Sequence, residues 1–164
     1  MKPTGNLRLG IVVGRSPHPQ ATLDNLWSRA LESLEPTDRQ LSVTAAYVAG
    51  PGPALVPSAP GLELVPVVPA GPGRLEAVLG ALSRKGGPLG IAGRLARDNW
   101  ESRQLAQAVA RSAGLQTALL AADVVVAADV AANRAVWQLR RRTAAPLVHG
   151  PIAMMHALRR IAER

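Results

Sequence analysis

Cysteine is absent from the 164 residues. That excludes a disulfide scaffold, a thiolate zinc site and a cysteine nucleophile. Phenylalanine is absent as well, and Trp27, Tyr47, Trp100 and Trp137 are the only aromatic residues. The alternation of aromatic and basic side chains that makes a platform for single-stranded nucleic acid is therefore missing. Long apolar runs are scarce too. Residues 115–128 form a mostly apolar stretch that Asp123 interrupts. A core element is expected there, because a membrane span needs about 20 apolar residues. The first ten residues carry Lys2 and Arg8, but their apolar stretch is too short for a signal peptide and no cleavage site follows. A cytoplasmic chain is the expectation.

Acidic residues are few. Asp and Glu number 11 against 19 Lys and Arg, 17 of them Arg, for a formal charge of +8. Hydrophobic residues make up 48% and charged ones 18%, which argues against disorder. The length fits one domain with a real core, spanning residues 1–164.

Short apolar segments alternate with amphipathic ones. Residues 7–13 (LRLGIVV), 41–48 (LSVTAAYV), 62–68 (LELVPVV), 123–128 (DVVVAA) and 146–149 (PLVH) read as strands, the fourth being the most apolar. Pro66 makes the third an edge strand. Helical spacing of apolar residues appears from Leu23 to Leu34, with Thr22 or Asp24 as cap and Pro36 as stop. It recurs over 74–85, 97–113, 130–142 and 152–164. Residues 115–120 extend or follow the third helix, and 88–95 fit either a short strand or a loop. Residues 49–61, crowded with proline and glycine, are expected to form a mobile surface loop. Strands alternating with helices, several apolar on both faces, imply a three-layer α/β domain with a mostly parallel sheet. Ile11, Val12, Val124, Val125 and Leu147 are its expected core.

The stretch ADVVVAADVAANRAVWQLRRRTAAPLVHG, residues 122–150, resembles the second half of the N-terminal, acceptor-side domain of GT-B glycosyltransferases of the family 4 type. In that family a strand of the form D-V-V-H-x-H/D leads into a helix of small residues, and a strand and loop ending in H-G follow. Asp123–Asp129 and Pro146–Gly150 stand in those places. The family's strand histidine falls on Val126 or Ala127 here, a departure. The resemblance implies a Rossmann-like fold and a glycosyltransferase, or part of one. The family's second domain, with the nucleotide-sugar site, is not in the sequence. The resemblance therefore implies a split enzyme that needs a donor-binding partner, a fragment, or a non-catalytic relative.

Ligands of open α/β sheets bind at the carboxyl ends of the strands, and helix N-termini there favour anions. That places Gly14, Arg15, Ser16 and His18 of the first loop where they would meet a phosphate or a sugar hydroxyl, unless the loop is a solvated turn. His149 and Gly150 end the last strand. His149 would contact an acceptor phosphate or act as a base, unless it caps the next helix or is merely exposed. Asp129 is either a ligand-facing acid or, the preferred reading, the N-cap of the following helix. His156 reads as structural. No G-K-[ST] or GxGxxG fingerprint occurs, no G-x-S-x-G elbow, and the histidine spacing suggests no metal site.

Arg140, Arg141, Arg142, Arg159, Arg160 and Arg164 make the C-terminal third basic. They are solvated helix ends or an attraction to anionic lipid headgroups and a lipid-phosphate acceptor. With no reading helix or RNA-binding motif, nucleic acid is not the expected partner. The expected partners are a donor-binding domain or a second copy, with a phosphorylated sugar or lipid phosphate as acceptor, at a location peripheral to the membrane. No cofactor is expected on this reading. Two alternatives stand beside it: a flavodoxin-like FMN protein, whose phosphate the first loop would cradle, and a non-catalytic interaction module.

Overall fold

The computed structural model describes residues 5–35, 37, 39–71 and 73–163. Pro36, expected as a helix stop, and Lys2 and Arg164 lie outside the described residues. Five strands form one sheet: β1 (Leu7–Val13), β2 (Leu41–Val48), β3 (Leu62–Val67), β4 (Val124–Ala127) and β5 (Leu147–His149). Their order is β3-β2-β1-β4-β5, and every neighbouring pair is parallel. A β3-β2-β1-β4-β5 order reverses direction between β1 and β4, the switch point at which doubly wound sheets open a crevice.

Two apolar layers cover the sheet. On one face, Leu7, Leu9, Ile11 and Val13 of β1 meet Leu23, Leu26, Ala30 and Leu34 of α1 (Pro19–Leu34), together with Met154, Ala157 and Leu158 of α6 (Gly150–Ala162). The alternation along β1 sends Val12 to the other face. There it joins Val125, Ala127 and the residues Leu105, Ala106 and Val109 of α3 (Gly87–Arg111), with Leu115 and Leu119 of α4 (Ala113–Leu120). Ile11, Val12, Val124 and Val125 are buried as the pattern demands. Leu147 is only half-buried, because β5 is short and closes the sheet's edge. Pro66 sits on β3, the opposite edge, where its missing N–H breaks no ladder bond.

The structure departs from the sequence pattern in four further places. Residues 88–95 are neither strand nor loop: α3 starts at Gly87 with Pro88 in its first turn, where the lack of an N–H is harmless. Residues 130–142 do not make one helix. They form a 3-10 turn (Val130–Ala132), a short α5 (Asn133–Trp137) and a second 3-10 turn (Gln138–Arg141). Neither Thr22 nor Asp24 caps α1, whose N-cap is His18 with no side-chain bond. His156, expected to be structural, is exposed on α6.

The crossover from β2 to β3 contains no helix. Residues 49–61 lay Leu55 against the α1 side of the sheet. Gln20 anchors this loop: its Nε2 donates to the Val56 carbonyl at 3.1 Å, and its Oε1 accepts from the Val56 N–H at 3.2 Å. One side chain thus satisfies both backbone groups of a loop residue.

The remaining element, α2 (Arg74–Ser83), has α3 as its main packing partner and contributes to neither apolar layer. Two glycines of α3 admit it. A Cβ on Gly93 would stand 2.7 Å from the backbone at Leu82 and Ser83, and one on Gly90 would collide with the Lys85 carbonyl.

Candidate functional site

Residues after β1, β4 and β5 converge on the carboxyl edge of the sheet, and Asp129 organises the centre of that edge. Its Oδ2 accepts from the Gly14 N–H at 2.9 Å and its Oδ1 from the Ala132 N–H at 3.0 Å. The carboxylate is therefore a cap that ties the loop after β1 to the turn after β4. It does not face outward as a free acid. Gly14 is glycine for this approach: a Cβ would lie 2.6 Å from Asp129 Oδ1 and 2.9 Å from the Ala131 methyl.

The loop from Gly14 to His18 is likewise bonded to itself. Ser16 Oγ lies 2.8 Å from Thr22 Oγ1 and accepts from the His18 N–H at 3.2 Å. The His18 carbonyl accepts both the Thr22 N–H at 3.0 Å and its hydroxyl at 3.1 Å. Arg15 turns away from the loop to α3, pairing with Glu101 and reaching Asp98 at 3.7 Å. Most donors expected to meet a phosphate are thus engaged within the chain.

The N-terminal ends of α1 and α6 remain without side-chain caps. They border a crevice of about 380 Å³ lined by Ser16, His18, Thr22, Asn25, Ala128 and Pro151. Helix N-termini favour negative charge, and here Pro19 and Pro151 each remove one N–H from the set. Gly150, with φ of 74°, lets the chain turn from β5 directly into α6.

His149 lies on the other side of the edge, exposed, with its Nδ1 2.8 Å from Asn133 Oδ1. A carbonyl oxygen only accepts, so Nδ1 carries the hydrogen, and the neutral ring keeps its lone pair on Nε2. The two residues border a groove with Arg134, Trp137 and Arg140. Arg140 stacks over the Trp137 ring at 4.9 Å, and Arg134 donates to Asn99 of α3 at 3.2 Å.

The structure therefore splits the expected residues. Ser16 and His18 line the crevice, Gly150 directly precedes its Pro151, His149 borders the groove, and Gly14 and Asp129 are bonded to each other. Arg15 belongs to a third group, with Asp98 and Glu101. Asn133, Gln20 and Glu101 went unsuspected. Asn133 alone had a signal, lying one helical turn after Asp129. A surface depression of about 880 Å³ lies at the opposite edge, lined in part by Asp123, Thr143, His156 and Arg160. Asp123 there is already bonded to the Arg8 N–H at 2.8 Å. Among the described residues no three His, Asp or Glu side chains cluster as metal ligands would, and no helix is long and apolar enough to cross a membrane. No protein-family model matches this chain, and no curated protein matches it.

Proposed function

We propose that this domain is the acceptor-side half of a sugar-transfer site, acting with a donor-binding partner domain. One observation carries the reading: His149 ends β5 at the carboxyl edge with its Nδ1 held by Asn133 and Nε2 left as the acceptor. Such a group takes the proton from an acceptor hydroxyl as that oxygen bonds to the sugar's anomeric carbon. The bond from that carbon to the donor's phosphate breaks in the same event, and the phosphate leaves on the partner domain. The uncapped N-termini of α1 and α6 suit an acceptor that itself bears phosphate, a phosphorylated sugar or a lipid phosphate.

Because His149 and His18 are exposed, water competes at this edge and the domain alone should bind weakly. Chemical-shift mapping with a sugar phosphate and a short polyprenyl phosphate tests the reading. Shifts at Ser16, His18, His149 and Gly150, with those around His149 lost in His149→Ala, support it. Shifts confined to the amino edge around Asp123 and His156 overturn it. A flavin-phosphate site draws less support, since the Ser16 hydroxyl and the Gly14 N–H that would cradle the phosphate are already bonded. A non-catalytic assembly role draws support from the Arg15–Glu101 pair, which neutralises the cation nearest the switch point.

A further inference from the structure

Helix α3 reaches beyond the domain. Its residues 105–109 pack on the sheet, while Asp98 and Glu101 meet Arg15 at the carboxyl edge. The preceding residues 87–97, a segment ~16 Å long at 1.5 Å per residue, therefore run on past that edge. α2 runs beside them, so the two helices form a prong whose tip is the turn at residues 84–87.

The prong is apolar and basic on its outside. Leu75, Val78, Leu89, Ile91 and Leu95 are each about half exposed or more, and they are five of the eleven large apolar side chains exposed among the described residues. Arg84 and Lys85 stand in the turn at the tip, Arg94 on α3 and Arg74 at the start of α2, against the single acid Glu76, and none of the four forms an ion pair among the described residues. We propose that this prong docks the protein on an anionic lipid surface. The aliphatic side chains enter the headgroup boundary while the cations meet lipid phosphates.

Charge disfavours a second copy as occupant, since two such prongs repel. Placement disfavours a protein groove. Leu89 and Ile91 lie ~200° apart around α3, and Leu75 and Val78 are on the other helix. A groove covers one stripe, whereas a lipid surface surrounds a tip. The proposal does not depend on the sugar-transfer reading, although docking would hold the carboxyl edge facing the headgroups.

Sedimentation of the full chain with vesicles tests it. Binding to phosphatidylglycerol-rich vesicles should exceed binding to phosphatidylcholine vesicles by ~10-fold or more and weaken with salt. Leu89→Ser with Leu95→Ser should lower it by ~10-fold while the melting curve stays put, because both side chains are exposed. Arg84→Glu with Lys85→Glu should erase the lipid preference, and His149→Ala should leave vesicle binding unchanged. Three results overturn the proposal: no sedimentation, sedimentation that both prong variants leave intact, or a concentration-dependent dimer or bound acidic protein that the leucine variant releases while vesicles go unbound.

Discussion

The Gly14 N–H donates to the Asp129 carboxylate at 2.9 Å across the switch point between β1 and β4. The other end of the same strand pair repeats the arrangement, with the Arg8 N–H on Asp123 Oδ2 at 2.8 Å. Each carboxylate belongs to the β4 side and takes a backbone donor from β1 or the residue that follows it, just outside the β1–β4 ladder. The four paired residues of β4 are thus clamped at both ends, which fixes the register on which the carboxyl edge depends.

Removing the switch-point clamp should cost stability. Asp129→Ala strands the Gly14 and Ala132 N–H groups, a loss of about 1–2 kcal/mol on the scale of N-cap deletions. For a domain of this size that corresponds to a melting temperature lower by about 3–8 °C. Asp129→Asn keeps one acceptor oxygen and should lose less. Thermal denaturation followed by circular dichroism checks both, and an Asp129→Ala curve that overlays the parent would mean the two N–H groups find water without penalty.

An interior strand and its edge neighbour should answer differently to mutation. Val125 is fully buried between β1 and β5, and Val125→Asp places an unpaired carboxylate there. The penalty of several kcal/mol approaches the ~5–15 kcal/mol that holds such a domain together, so the variant should be unfolded at room temperature. Leu147→Ala, at the half-buried edge, should remain folded with a lowered midpoint in urea. Equal urea midpoints for the two variants would contradict the burial order.

The parallel sheet was legible because its strands are short apolar runs separated by proline, glycine or helical periodicity, and β1 and β2 match their sequence limits residue for residue. The start of α3 was hidden: Gly87, Pro88, Gly90 and Gly93 suggest a loop by propensity. Contact with α2 overrides that weak preference, and the glycines are where the second helix comes close. At the site, position in the strand order placed Gly14, Asp129 and His149 at one edge of the sheet, where the structure also has them. Residue type misled at Arg15, whose partners Asp98 and Glu101 lie more than eighty residues away in sequence. Asp129 was readable as a cap because its own turn supplies one donor, but its bond to Gly14 depends on strand pairing that no local pattern encodes.

The prong should loosen without unfolding the domain. In Gly93→Ala the new methyl meets the α2 backbone at 2.7 Å, and helices in contact must part to admit it. α2 contributes nothing to either apolar layer, so the melting temperature should stay within about 3 °C of the parent. Local opening should rise, and trypsin should cut after Arg84 and Lys85 about ten times faster. Cleavage rates equal to the parent's would show that the helices part less than their spacing requires.

Arg15 sits beside the switch point, yet its guanidinium is paired with Glu101 and lies near Asp98, while Arg97 approaches Glu101 at 3.5 Å from the same helix. An anion arriving at the edge must therefore compete with a carboxylate already in place. Arg15→Ala should reduce sugar-phosphate binding only modestly, because the parent loses little by removing a cation that is already neutralised. Glu101→Gln removes the competitor while keeping the side chain's size, so Arg15 becomes available and affinity should rise severalfold. The double variant Arg15→Ala, Glu101→Gln should fall back to the level of Arg15→Ala, since the gain requires the freed guanidinium. Titrations followed by chemical shift at Gly14 and His18, in low salt, measure all three. A Glu101→Gln gain that persists without Arg15 would assign the effect to the general potential of this basic protein, and the ion pair would then play no gating part.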